Sequence, residues 1–339
     1  MDIYDKNGYL DFDRIMEDQN PFIFIMGARA IGKTYGSIKY MLDHSIKFIY
    51  MRRTQTQVDL IKTPALNPFK PLESEGYETI TKPIAKNVTG VYSVEEEKPT
   101  GPALAYILAL STVSNIRGFD ASDVDVMIYD EFIGEKHEKS ISNEGLAFLN
   151  AIETIARNRE LKGQKPLKVI CLSNTNDLVN PIFIELKLVT VVEKMIKDSI
   201  DYKNIKARGV SIYLLHNSPI SRQKASTSLY KLAGEGVFSG MALDNDFSQE
   251  YMAMVKSQSL KEYKALVLVG ELCIYKHKSR RQYYVTAHVS GKPEVYDSSE
   301  IEIRRFTTDY YFLKLSYLSR HIYFETYLLQ ILFERYFKL

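Results

Sequence analysis

Only two cysteines occur in the 339 residues, Cys171 and Cys273; they lie far apart, one inside an apparent strand. They predict buried thiols rather than a disulfide, and with them a reducing, cytoplasmic setting. The six histidines are scattered without ligand spacing, which leaves a structural zinc site without support. No signal peptide opens the sequence, and no apolar run approaches membrane-spanning length; the greasy C-terminal stretch is broken by Glu325, Gln330 and Glu334. An excess of one charge is missing too, with a net charge of +2. Divided near Ala207, the chain carries 26 Lys and Arg against 29 Asp and Glu before that point and 18 against 13 after it. The back third is therefore mildly basic, concentrated in KHKSRR (Lys276 to Arg281) and in Arg304 with Arg305. Such clusters either bind nucleic acid through its phosphates or form a solvated hairpin turn.

What is present is a chain 45% hydrophobic and 25% charged, long enough for two domains with separate cores. Behind the apolar run PFIFIM stands GARAIGKTYG, in which Gly27, four residues, then Gly32, Lys33 and Thr34 satisfy G-x-x-x-x-G-K-[ST]. In this P-loop pattern the glycines let successive N–H groups converge on one anion, and the following helix adds the positive end of its dipole. Lys33 is expected to reach the β and γ phosphates of ATP, and Thr34 to offer its hydroxyl to Mg²⁺. The expected nucleotide contacts are Gly27, Ala28, Arg29, Ala30, Ile31, Gly32, Lys33, Thr34 and Tyr35.

Strand-length apolar runs follow at Phe22 to Met26, Lys47 to Met51, Leu104 to Leu110, Val124 to Tyr129 and Lys168 to Leu172. Helical patterns fall at Thr34 to Asp43, Gln55 to Ile61 and Asn143 to Arg157. Apolar strands alternating with helices predict an α/β P-loop core, a mostly parallel sheet covered on both faces, with the ligand at the carboxyl ends of the strands. The fourth run ends in the acidic pair of VMIYDEF. Placed after a P-loop, Asp130 is expected to hold Mg²⁺ and Glu131 to orient and deprotonate the attacking water; the alternative is that both merely end a strand. An acid pair of this kind favours the P-loop ATPases with an additional strand and a catalytic glutamate. The fifth run, KVICLSNTND, ends in Ser173, Asn174 and Thr175, which either sense the γ-phosphate or form an Asx turn.

Taken together, GARAIGKT, the RR of IYMRRTQ, the strand ending in YDEF, IETIARNRE, CLSNTNDLVNP and, further on, GMALDNDF (Gly240 to Phe247) resemble the DNA-packaging ATPases of small tailed bacteriophages of the phi29 type, relatives of the large terminases. The resemblance implies a homo-oligomeric ring at the portal of a viral procapsid, in the host cytoplasm, driving double-stranded DNA inward with ATP and Mg²⁺. In such a ring a neighbour's arginine completes each ATP site: Arg157 matches that position best, Arg159 is the fallback, and Arg117 matches a second basic position at the junction. Arg52 and Arg53 leave the second strand near the expected nucleotide face, where a basic residue contacts nucleotide or relays DNA state, or else caps the strand end; Arg53 is expected as a nucleotide contact. Asn174 would link the chemistry to the pore, where Lys62, Lys82 or Lys86 could grip DNA backbone phosphates without regard to sequence.

The expected organisation is an ATPase domain over 1–202, a linker over 203–228 and a smaller α+β domain over 229–339. Alternating runs at Ala265 to Val269, Leu272 to His277 and Gln282 to Val289 predict a β-meander, followed by a helix-rich tail from Phe312 to Phe337. In large terminases that domain is an RNase H-like nuclease with clustered acids around two metals. Here the first meander strand lacks an embedded aspartate, Glu271 lies in a turn, and Asp297 and Asp309 lack obvious partners. The resemblance therefore implies a degenerate nuclease that docks to the portal or to a packaging RNA. Two other readings stand beside the motor: a complete terminase that cuts DNA, and an assembly protein that uses ATP only as a switch.

Overall fold

The first sheet is built from β1 (Phe22–Gly27), β2 (Phe48–Arg52), β3 (Thr79–Ala85), β4 (Val88–Glu95), β5 (Lys98–Ala109), β6 (Val126–Asp130), β7 (Lys168–Ser173), β8 (Tyr202–Ile205) and β9 (Val210–Leu215), of which β1, β2, β6 and β9 are predominantly apolar or aromatic runs. The computed structural model describes residues 3–116, 118–134, 138, 141–174, 180–215, 218–224, 226–233 and 253–339. It divides into two compact units, Met1–Leu188 with Lys194–Phe247 and Val189–Glu193 with Ser248–Leu339.

The nine strands lie in the order β3-β4-β5-β2-β6-β7-β1-β9-β8. From β5 to β9 every pairing is parallel, while β3, β4 and β8 add antiparallel edges. Strands β6 and β9 are buried along their whole length, as a sheet covered on both faces requires. One covering layer contains Phe24, Phe132 and Phe183, whose rings meet at centroid distances of 5.2 to 5.7 Å. Helices Lys33–Asp43, Gln55–Ile61 and Glu144–Ala156 stand where helical periodicity predicts them. The second of these begins in a reciprocal cap, Thr54 with Gln57. The third fits closely against helix Pro181–Glu185, because a Cβ on Gly145 would come within 2.4 Å of Glu185 Cβ.

The segment 203–228 corrects the expected linker. Strand β9 pairs with β1 over its full length and β8 pairs with β9, so residues 203–215 belong to the sheet of the first unit. Only then does the chain leave it, through helices Pro219–Lys224 and Ser228–Ala233.

The second unit contains β10 (Tyr263–Val269), β11 (Leu272–His277), β12 (Tyr283–Thr286), β13 (Glu294–Tyr296) and β14 (Ile322–Phe324), in the order β13-β10-β11-β12-β14. The expected meander is β10-β11-β12, antiparallel throughout. The basic run Lys276 to Arg281 ends β11 and turns this hairpin, with His277 Nδ1 accepting from the N–H groups of Ser279 and Arg280 at 3.2 Å each. Val267, Leu272, Ile274, Phe306, Leu313, Phe324, Phe333 and Phe337 form one core beneath it. The tail is two helices, Tyr311–Leu318 and Tyr327–Phe337, interrupted by β14; a further helix, Glu300–Asp309, precedes it. Both cysteines are buried free thiols. Among the described residues no helix is long and apolar enough to cross a membrane.

Candidate nucleotide site

The P-loop emerges from the carboxyl end of β1, between the ends of β7 and β9. Two glycines make its path possible. A Cβ on Gly27 would come within 2.7 Å of Ile31 and 2.9 Å of Leu215, and Gly32 adopts φ +89°, which side chains rarely tolerate. Ala28 and Ile31 anchor the loop in the core, whereas Arg29, Ala30 and Tyr35 face outward. Helix Lys33–Asp43 has no side-chain cap at its N-terminus, so its first-turn N–H groups are offered to an anion. Lys33 is buried, and its ammonium donates to the carbonyls of Gly27 at 2.8 Å and Ala28 at 2.7 Å. Burial pushes its pKa down to about 7; nearby Asp130 and Glu131 oppose the fall, and Lys224 and Arg29 add to it.

Opposite the loop, β6 delivers its acids. Asp130 is 3% exposed, and its Oδ2 accepts from Thr34 Oγ1 at 3.0 Å, Tyr50 Oη at 2.6 Å and Arg52 at 3.2 Å. The hydroxyl and carboxylate expected to share a magnesium ion are therefore in direct contact. An oxygen pair of this kind suits a hard cation that takes few protein ligands and completes its shell with water and phosphate. Glu131 follows with φ +54° and forms an ion pair with Arg52. Asn174 continues from Ser173, which pairs with Met26, and so stands beside the loop at the same sheet edge.

Arginine placement separates what sequence left together. Tyr50 and Arg52 project from the same side of β2, the side facing the acids, as residues two apart on a strand do. Arg53 projects the other way and is a correction to the expected nucleotide contacts. It is buried, with Nε 2.7 Å from Glu144 Oε1, a second guanidinium nitrogen 3.0 Å from Glu144 Oε2, and Nη1 2.5 Å from Glu138. Tyr50 is the site residue that sequence reasoning missed, and of the two arginines it put at the end of this strand, Arg52 rather than Arg53 meets the acids. The signal was parity along a strand whose neighbour ends in the acidic pair.

Arg157 caps helix Glu144–Ala156 in a left-handed conformation, φ 44°. Its guanidinium donates to the Phe119 carbonyl at 2.6 Å and lies 3.5 Å from Asp120, with the side chain 37% exposed. Arg159 is buried instead, donating to the Val124 carbonyl at 2.7 Å and to Asp125 at 3.0 Å, at the start of β6. Both arginines thus lie toward the amino ends of the parallel strands. The P-loop lies at the carboxyl ends, so about 17 Å of strand separates the two edges. Arg157 is not brought to its own P-loop. Arg117, Thr175 and the stretch Gly240 to Phe247 lie outside the described residues.

In the second unit, Asp297 accepts from the Ser299 N–H at 2.7 Å, ahead of the helix that Ser299 caps, and Asp309 accepts from Tyr296 Oη at 2.9 Å. Glu271 sits in the β10–β11 turn. Among the described residues no group of three His, Cys, Asp or Glu is placed to hold a metal ion.

Lys62 pairs with Asp59, whereas Lys82 and Lys86 are exposed on the β3–β4 hairpin.

Comparison with known proteins adds a family to this geometry. Residues 3–304 match the family described as Podovirus DNA encapsidation protein (Gp16). The DNA packaging protein of Bacillus phage phi29 is 28% identical over 263 residues, 76% of this chain and 69% of that protein. The DNA packaging protein of Bacillus phage B103 is 30% identical over 255 residues, 74% of this chain and 70% of that protein. Among solved structures, a chain of the bacteriophage phi29 viral genome packaging motor assembly has the same fold, with a TM-score of 0.68 at 19% identity over 97% of this chain and 98% of that one. A chain of the phi28 gp11 DNA packaging motor follows, with a TM-score of 0.63 at 18% identity over 98% of this chain and 99% of that one. With the family match running through most of both units, the chain belongs to the podovirus DNA encapsidation (Gp16) family.

Proposed function

We propose that this chain is the ATP-hydrolysing subunit of a motor that drives double-stranded DNA into a viral capsid. The contact of Thr34 with Asp130, beneath a P-loop whose lysine rests on the loop's own carbonyls, carries this reading. Lys33 exchanges the Gly27 and Ala28 carbonyls for phosphate oxygens. Thr34 and Asp130 hold Mg²⁺, which when bound neutralises charge on the β and γ phosphates. Glu131 leaves Arg52 to take a proton from the attacking water, and Asn174 reports the γ-phosphate from the neighbouring strand tip.

The far-edge position of Arg157 supports its service to a neighbour's site rather than its own. That requires a head-to-tail contact, closed into a homo-oligomeric ring. The ring works at the portal of the procapsid in the host cytoplasm. The second unit, whose Asp297 and Asp309 are engaged with Ser299 and Tyr296, docks to the portal or to a packaging RNA and does not cut DNA.

Phosphate release from Mg–ATP, with and without long double-stranded DNA, tests the reading for the parent chain beside Glu131→Gln. The expected result is stimulation by DNA of any sequence, with the substitution retaining ATP binding and lowering turnover about 10²- to 10⁴-fold. Hydrolysis that ignores DNA even when portal and packaging RNA are supplied would replace the motor with an ATP switch. Metal-dependent nicking of plasmid DNA by the parent would restore the complete-terminase reading.

A further inference from the structure

Strand β9 runs parallel to β1 and ends at Leu215 beside Gly27, so the chain leaves the sheet at the edge where the P-loop lies. Ser218 and Ser221 join side chains at 2.7 Å to start helix Pro219–Lys224. Pro219 packs on the turn at Gly8 so closely that a Cβ there would stand 2.8 Å from its own. The same N-terminal segment donates the Leu10 N–H to the Ile31 carbonyl at 2.9 Å. Helix and turn are thereby fixed against the loop, and Lys224, the helix's last residue, donates its ammonium to the Arg29 carbonyl at 2.6 Å.

Lys224 is half-buried and Arg29 is exposed. Burial lowers the pKa of Lys224. The ammonium groups of Lys33 and Lys224 thus both rest on carbonyls of one loop, an arrangement that an anion at the loop would stabilise. A neutral carbonyl is also a weaker acceptor for an ammonium than a phosphate oxygen.

Resting on the ATPase reading above, we propose that Lys224 is a second lysine for the nucleotide's phosphates, its ammonium passing from the Arg29 carbonyl to the terminal phosphate of ATP. The segment that follows the sheet then holds nucleotide directly and distinguishes triphosphate from diphosphate.

Calorimetric titration of the full chain with Mg–ATPγS and with Mg–ADP, for the parent, Lys224→Met and Lys224→Arg, tests this alongside melting temperature without nucleotide. The expected result is a loss of ATPγS affinity on the order of tenfold or more in Lys224→Met. ADP affinity changes less, Lys224→Arg recovers most of the loss, and melting is unchanged. Unchanged ATPγS affinity in Lys224→Met would overturn the proposal. So would an equal loss for both nucleotides with a lowered melting temperature, because Lys224 would then only brace the loop. Failure of the parent to bind either nucleotide would remove the P-loop reading itself, a different outcome from either.

Discussion

Arg52 and Arg53 are adjacent and chemically identical, yet one faces the acids at the nucleotide edge and the other is sealed beneath Gly134 against Glu144. The alternation of strand side chains decides which is which, and the structure uses both. Arg52 holds Glu131 and Asp130 together, while Arg53 ties the end of β2 to the first turn of helix Glu144–Ala156. Arg53 and Glu144 are 4% and 2% exposed, so removing either leaves a buried charge without its bidentate partner. Breaking such a pair costs about 3–5 kcal/mol. Urea denaturation of Arg53→Met and of Glu144→Gln should show losses of this order. ATP affinity of the surviving folded fraction should stay near that of the parent, because neither side chain faces the loop. A large fall in affinity without loss of stability would return Arg53 to the nucleotide site.

Elements differ in how plainly their residues announce them. Strands β1, β2, β6 and β7 are legible as unbroken apolar runs, and the P-loop as a spacing that only a strand-to-helix turn accommodates. The β3–β4 hairpin is not: TITKPIA mixes polar residues with Pro83, tolerable only because β3 is an edge strand. Strands β8 and β9 escape because β8 is four largely polar residues and β9 follows a turn at Gly209, composition that reads as linker although β9 is fully buried. Helix Glu300–Asp309 buries little beyond Phe306, so its apolar face is faint. The hairpin that sequence hid carries Lys82 and Lys86, both exposed, and we propose that it meets DNA phosphates; Lys62 is already paired with Asp59. Double substitution Lys82→Ala with Lys86→Ala should weaken DNA stimulation of turnover on all sequences alike. It should also flatten the salt dependence of DNA binding by about two phosphate contacts per subunit. An unchanged salt slope would move the grip elsewhere.

At the scale of the whole molecule, the P-loop with its acids and Arg157 lie toward opposite edges of one sheet, the separation that the proposed ring requires. The loop and acids lie at the carboxyl edge of the sheet and Arg157 toward the amino edge, with helix Glu144–Ala156 leading from one to the other. If a neighbour's Arg157 completes each site, removing it should lower turnover by about 10³- to 10⁵-fold while leaving nucleotide binding in place. Arg157→Ala and Glu131→Gln rings should then both be inactive for opposite reasons, one lacking the finger it donates and the other the base it keeps. Mixing them restores sites in which an Arg157→Ala subunit receives the finger of a Glu131→Gln neighbour. For random head-to-tail assembly such junctions are most frequent at equal proportions, about a quarter of all junctions. Turnover plotted against mixing ratio, on portal-assembled rings, should therefore rise from near zero, peak at the middle and fall back. Action of Arg157 within its own subunit predicts a flat line near zero at every ratio, because no subunit in the mixture would carry both groups.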